Sequence, residues 1–130
     1  MPKPGAPGAQ SDSVWMQVTQ TSHRALGPMR LLELGWSTAA HARSPAALSL
    51  RLLPQEAHTL GLALQAVAEG RSPERELFMS PMASNGLFVG HVDTQGVAVE
   101  LAAHPGLPLD WPQVRRLAAL LLAEAPPAAA

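Results

Sequence analysis

A strand that runs directly into a helix is the clearest pattern in the chain. Over residues 48–52 leucines alternate with polar residues, which is the period of a strand with one buried face. From Pro54, a residue typical of the first helical turn, apolar residues recur at steps of three and four. Gly70 fits the position that follows a last helical turn, so the pattern predicts a strand followed by a helix.

The same pattern returns 57 positions later. Under this shift Leu50, Leu52, Ala57, Leu60 and Leu64 fall on Leu107, Leu109, Val114, Leu117 and Leu121. Asp110 and Gln113 have the spacing of an N-terminal capping box, and Pro126 ends the second helix. We interpret this recurrence as an internal duplication, although two unrelated amphipathic helices in a leucine-rich chain would align similarly.

Further strands are predicted where residues alternate with period two or lie between turn signals, at 14–19, 29–36, 76–80, 87–93 and 96–103. Gly27-Pro28, Asn85-Gly86 and Gln95-Gly96 mark turns between them. His104-Pro105-Gly106 breaks the sheet before a short segment, 107–109, and the last helix. Because strands follow one another in hairpins and helices come after them, the sequence predicts an α+β fold of antiparallel sheets with two helices, duplicated as βββα-βββα.

The expected organisation is one domain at 13–125, made of repeat one (13–70) and repeat two (71–125). Residues 1–12 and 126–130 are expected to be flexible tails, because Pro, Gly and Ala dominate them. With 130 residues, of which 47% are hydrophobic, the chain is long enough to bury a core. It has no apolar run of roughly 18–20 residues and no signal-peptide core, so we expect a cytoplasmic protein that does not bind membranes.

The sequence lacks the residues that several classes of chemistry require. With 0 cysteines the chain can form no disulfide and no thiolate site. The five histidines lack the HExxH spacing, and no nucleophile elbow or phosphate-binding glycine loop is present. His91 and Asp93 share a face of one predicted strand, which we interpret as an exposed polar surface. We therefore expect no enzyme, no catalytic residue, no metal site and no cofactor.

The charges are unevenly distributed, although the net charge is only -1. Residues 1–55 contain five Lys and Arg against two Asp and Glu, whereas the remainder contains four against eight. This asymmetry is compatible with an anionic partner for the first half, and scattered arginines on a solvated surface are the alternative.

The corner formed by Gly106-Leu107-Pro108-Leu109-Asp110 and the helix with Gln113, Leu117, Leu120 and Leu121 resembles the strand-to-helix corner of the positive-cofactor-four transcriptional coactivators. Residues 50–64 are similar to it. Two such units in one chain resemble the PUR and Whirly proteins, whose duplicated sheet-plus-helix repeats bind single-stranded nucleic acid on their sheets. The lysine-rich stretches and the tryptophan-bearing sheet motif of the coactivators are absent here. The resemblance implies a sheet surface that binds a single strand.

The residues suited to that function are rings that stack on bases and cations that pair with phosphates, namely Trp15, Arg30, Arg51, Phe78 and Phe88. The first hypothesis is therefore a non-enzymatic protein that binds single-stranded nucleic acid on an exposed sheet face. The alternative is a small dimeric module that binds a protein partner. A homo-oligomer is expected because apolar residues spread beyond one stripe of the last helix, although a deep position within the chain would explain them too.

Overall fold

The computed structural model describes residues 14–36, 48–82, 86–101 and 107–124, which form seven strands and two helices. The elements are β1 (Val14–His23), β2 (Gly27–Trp36), β3 (Leu48–Leu52), α1 (Pro54–Ala68), β4 (Glu76–Met79), β5 (Phe88–Val92), β6 (Gly96–Leu101), β7 (Leu107–Asp110) and α2 (Trp111–Leu122). The predicted tails at 1–12 and 126–130 lie outside the described residues. The predicted α+β class, with antiparallel sheets and two helices, is confirmed.

The first sheet has the strand order β1-β2-β3, and its neighbouring strands are antiparallel. Val18, Leu32 and Leu50 are cross-strand partners on its inner face, and all three are buried. β1 continues to His23, beyond the predicted 14–19, because its polar second half pairs with β2 along its whole length. The His23 ring then closes the hairpin, since its Nδ1 accepts two backbone hydrogen bonds from the turn.

The second sheet has the order β4-β5-β6-β7, also antiparallel throughout. It contains one strand more than the predicted βββα order, because residues 107–110 pair with β6. Leu107 is the partner of Val99, and Leu109 is the partner of Val97. An extended segment before a helix is a strand only if a neighbour pairs with it, and a sequence period does not show that pairing. The internal duplication stays a prediction.

Both helices lie on the inner sides of the sheets and pack against each other. α1 contacts β2 and β3, whereas α2 contacts β1 in the first sheet and β6 and β7 in the second. One cluster of buried side chains therefore joins the two halves. All ten residues related by the 57-residue shift belong to it: Leu50, Leu52, Ala57, Leu60, Leu64, Leu107, Leu109, Val114, Leu117 and Leu121.

The broad apolar surface of α2 is used largely within one chain. Leu117 and Leu121 are buried, and Leu120 and Leu122 are half-buried. The helices approach closely at Gly61, where a Cβ atom would lie 2.8 Å from Leu122 Cγ. Intrachain packing accounts for the leucines from which we expected a dimer interface, and the homodimer stays a prediction.

The predicted start of α2 and the predicted end of α1 are confirmed, whereas Pro126, predicted to end α2, lies outside the described residues and α2 ends at Leu122. Asp110 Oδ1 accepts a hydrogen bond from Gln113 N at 2.9 Å, and Gln113 Oε1 accepts one from Asp110 N at 3.0 Å, which is the reciprocal capping box. Gly70 follows α1 with a φ of +73°, the left-handed conformation that glycine adopts without steric cost. Asp110 and Gln113 therefore set the start of α2, and Gly70 sets the end of α1.

Glu56 closes the start of α1 and also holds the connection between β4 and β5. Its Oε1 accepts a hydrogen bond from Leu53 N at 2.7 Å, and its Oε2 accepts one from Met82 N at 3.1 Å. We expect Glu56→Ala to lower the free energy of unfolding by about 1–2 kcal/mol, because it removes two charge-assisted hydrogen bonds and a helix cap. Urea unfolding followed by far-UV circular dichroism measures this loss.

Glu69→Ala is the matched control for Glu56→Ala. Glu69 lies at the other end of α1, and its side-chain partner is the exposed Arg71. Exposed ion pairs contribute little, so the control should lower the free energy of unfolding by less than about 0.5 kcal/mol. Equal losses in the two variants would contradict the role of Glu56.

Candidate functional site

Two sheet surfaces that face away from the helices carry the candidate residues. The first-sheet outer face consists of Trp15, Gln17, Thr19, Thr21, Met29, Leu31, Glu33, Gly35, Ser49 and Arg51, of which Thr19, Met29 and Gly35 are buried. The second-sheet outer face consists of Glu76, Phe78, Val89, His91, Ala98, Glu100 and Pro108, with Leu87 immediately before β5. Strand alternation and register place these residues together.

Trp15 lies across the first-sheet outer face, above its cross-strand partner Gly35. A Cβ atom at Gly35 would fall 2.5–2.7 Å from atoms of the indole, so the glycine leaves the space that the ring occupies. Trp15 is half-buried. Next to it Gln17 Nε2 donates a hydrogen bond to Glu33 Oε1 at 2.8 Å, which places a carboxylate in the middle of this face.

The two predicted arginines lie on opposite sides of the first sheet. Arg51 is exposed on the outer face as the partner of Leu31. Arg30 alternates with Leu31 and so faces the inner side, where its Nη1 donates a hydrogen bond to Ala123 O at 3.0 Å, directly after α2. A cation at the end of a helix interacts favourably with the helix dipole, so Arg30 serves to hold α2 against the first sheet. Trp15 and Arg51 therefore share a face, and Arg30 does not.

The two predicted phenylalanines also differ in exposure to solvent. Phe88 is 0% exposed and belongs to the core, so its ring is not available to stack on a base, and its assignment as a site residue is wrong. Phe78 is 63% exposed on β4 and is available. Each phenylalanine is the middle of three consecutive apolar residues, at 77–79 and 87–89, and such runs do not indicate which residue faces inward.

Polar groups on the second-sheet outer face converge on His91. Its Nδ1 lies 3.5 Å from Glu76 Oε2, and its Nε2 lies 3.0 Å from Glu100 Oε2. The three residues come from β4, β5 and β6, so the imidazole links carboxylates of two flanking strands. In the part of the chain that the structure describes, no group of three or more such side chains is arranged to hold a metal ion. The arrangement can attract a cationic side chain.

Apolar side chains lie beside this polar group. Phe78 and Val89 are cross-strand partners, and Val89 is also the partner of Glu100. Leu87 is exposed, as is Met82 in the connection between β4 and β5. The second-sheet outer face thus presents a ring, aliphatic side chains and carboxylates next to one another.

Sequence reasoning did not find the cluster of Glu76, His91 and Glu100. It paired His91 with Asp93, but the Asp93 carboxylate instead accepts hydrogen bonds from the backbone of Gln95 and Gly96 in the turn. The signal for the cluster would have been the register of two hairpins, which places residue 91 opposite residues 76 and 98. Hairpin registers depend on turn geometry, and residues 83–85 of the first turn lie outside the described residues.

Among the described residues, neither helix is long and apolar enough to cross a membrane. Comparisons of the chain with protein-family models, with curated proteins and with solved structures find no match. The resemblance to single-stranded nucleic-acid-binding repeats therefore stays a prediction.

Proposed function

We propose that the protein is a non-enzymatic interaction module that binds a protein partner through the second-sheet outer face. The exposed apolar side chains of Phe78 and Leu87 on this face carry the proposal. Four large hydrophobic residues are exposed in the described part of the chain, and three of them lie between residues 78 and 87: Phe78 at 63%, Met82 at 70% and Leu87 at 41%. The fourth, Leu62 at 46%, lies on α1.

The composition of this face suits a protein partner. Aromatic and methionine side chains are enriched at protein interfaces, and burying one large apolar side chain contributes about 1.5–3 kcal/mol. Glu76 and Glu100 lie at the border of the apolar group, where charges select a partner and orient it. The same carboxylates would repel phosphates, so this face favours a protein over a nucleic acid.

Single-stranded nucleic-acid binding on the first-sheet outer face is the second candidate function. Trp15 and Arg51 share that face, on the two strands that flank β2 and opposite β2 residues four positions apart. A ring and a cation on one face are what base stacking and phosphate pairing require. Glu33 lies on β2, the strand between them, and the net charge of the chain is -1. Binding on this face would therefore be weak and would fall steeply as salt is added.

Selection from a random peptide library displayed on phage tests the first proposal. The full chain is the bait, and the enriched peptides are then measured against Phe78→Ser and Leu62→Ser. Both substitutions replace one exposed hydrophobic residue, so they are matched in chemistry and differ in place. We expect Phe78→Ser to weaken binding about tenfold or more, as for a central interface residue, and Leu62→Ser to leave it unchanged. Peptides that bind Phe78→Ser as tightly as the unchanged protein would overturn the proposal.

Fluorescence polarisation with a labelled single strand of about 20 nucleotides tests the second candidate. The titration compares low with moderate salt and the unchanged protein with Trp15→Ala and Arg51→Ala. Saturable, salt-sensitive binding that both substitutions weaken would support the first-sheet outer face as a nucleic-acid site. Absence of binding at low salt would eliminate this candidate.

A further inference from the structure

We infer that the partner of the second-sheet outer face is an extended protein segment that adds a strand to the open edge of β4. The segment carries a basic residue two positions from a large apolar residue. This inference rests on the proposed function, and it adds the backbone conformation and the side-chain pattern of the partner.

The position and backbone geometry of β4 allow such pairing. β4 is an edge strand whose partner is β5. Val92 N donates a hydrogen bond to Arg75 O at 2.8 Å, and hydrogen-bonded pairs alternate along an antiparallel ladder. The odd-numbered residues of β4 therefore direct their backbone groups toward β5. Glu76 and Phe78 present theirs to the open edge, where no other described strand pairs with them. A partner strand can bond to these groups.

The side chains of the same two residues set the pattern of the partner. Glu76 and Phe78 both face the outer side of the sheet, since side chains two apart on a strand share a face. Residues directly opposite on an added strand would have Cβ atoms about 4.5–5.5 Å away. A lysine or arginine opposite Glu76 meets the carboxylate cluster around His91, and a large apolar residue opposite Phe78 extends the apolar group. These two partner residues are separated by one residue that faces the other side.

A second copy of this chain is a poorer occupant of the edge. Two antiparallel β4 strands would place Glu76 opposite another Glu76, opposite Phe78, or, with Phe78 opposite Phe78, beyond the end of the partner strand. None of these arrangements supplies a cation to the carboxylates, whereas a basic segment does. Charge complementarity therefore favours a different protein.

A designed peptide tests this inference. The labelled peptide has nine residues, in which lysine and valine alternate at every second position and threonine fills the others. One control carries glutamate in place of lysine, and another carries N-methyl groups on the amides that would bond to β4. We expect the lysine peptide to bind the full chain and both controls to bind at least tenfold more weakly, as measured by fluorescence polarisation.

A charge exchange makes the test specific to Glu76. Glu76→Lys should weaken binding of the lysine peptide about tenfold, because a lysine would then face a lysine across the strands. The same substitution should strengthen binding of the glutamate peptide, whose glutamate would then face a lysine. Amide hydrogen exchange provides a second readout, since the amides of Glu76 and Phe78 should become protected when the lysine peptide binds. A surface contact that adds no strand would not protect them.

Four results would overturn the inference. These are no binding of the lysine peptide at millimolar concentration, equal binding of the lysine and glutamate peptides, equal binding of the N-methylated peptide, and a dimer by light scattering that Phe78→Ser dissociates. The last would assign the edge to a second copy of the chain. The proposed function has its own test, because peptides selected from the random library can depend on Phe78 without any basic residue or added strand.

Discussion

Phe88→Ala is expected to lower the free energy of unfolding by about 3–5 kcal/mol, the usual cost of truncating a buried phenylalanine. The ring is 0% exposed and forms part of the core of the second sheet. It lies close to Gly90, where a Cβ atom would be 3.4 Å from Phe88 Cε1 and 2.9 Å from Val97 Cγ1. The missing side chain of Gly90 thus leaves room for Val97 beside the ring. Urea unfolding followed by far-UV circular dichroism measures the loss.

Phe78→Ala is the control for Phe88→Ala. The two phenylalanines lie on paired strands, and Phe78 is 63% exposed. Its truncation should change the free energy of unfolding by less than about 0.5 kcal/mol, as for surface substitutions. Similar losses in the two variants would contradict the assignment of one ring to the core and the other to the binding face. The control also shows that Phe78 variants can be tested for binding in the folded protein.

The second large effect is expected for Gly96→Ala, which should lower the free energy of unfolding by about 3 kcal/mol or more. Gly96 has a φ of +155°, and a Cβ atom there would collide with the Leu109 carbonyl oxygen and lie 2.9 Å from Asp110 Cα. Both obstacles are backbone, so no side-chain rotation relieves them, and β7 would have to move away from β6. Because β7 runs directly into α2, the displacement would extend to the helix.

Gly70→Ala is the control that distinguishes the cost of backbone strain from the cost of the collision with β7. Gly70 has a φ of +73°, but nothing lies within 4 Å of a Cβ atom built there. Its substitution should cost about 1–2 kcal/mol, the strain of a left-handed residue that carries a side chain. If urea unfolding shows that Gly96→Ala lowers the free energy of unfolding no more than Gly70→Ala does, the result would contradict the close approach of β7 to Gly96.

The two outer faces differ in a way that bears on function. The first-sheet outer face combines Trp15 and Arg51 with the hydrogen-bonded pair of Gln17 and Glu33, so its one carboxylate and one guanidinium cancel in charge. The second-sheet outer face combines an exposed ring with carboxylates, and its edge strand has outward backbone groups. The peptide and nucleic-acid titrations use separate variants on the two faces, so each function can fail without affecting the other.

The sequence by itself determined most of the local structure. Alternation of leucine with polar residues predicted β3 within its observed bounds, Leu48–Leu52. Pro54 and Gly70 marked the ends of α1, and Asp110 with Gln113 marked the start of α2. These signals are local, because a cap, a positive φ or a period depends on residues within a few positions of each other.

Only the tertiary structure decided which candidate residues share a surface. Alternation places Arg30 and Leu31 on opposite sides of β2, but the register with β3 shows that Arg51 shares a side with Leu31 and not with Arg30. The runs of three apolar residues around Phe78 and Phe88 left both rings as candidates until packing buried one of them. Pairing along β4, β5 and β6 likewise brings together residues up to 24 positions apart, including Glu76 and Glu100. Such contacts depend on strand register and on the helices that cover the inner faces, and neither is encoded in a local period.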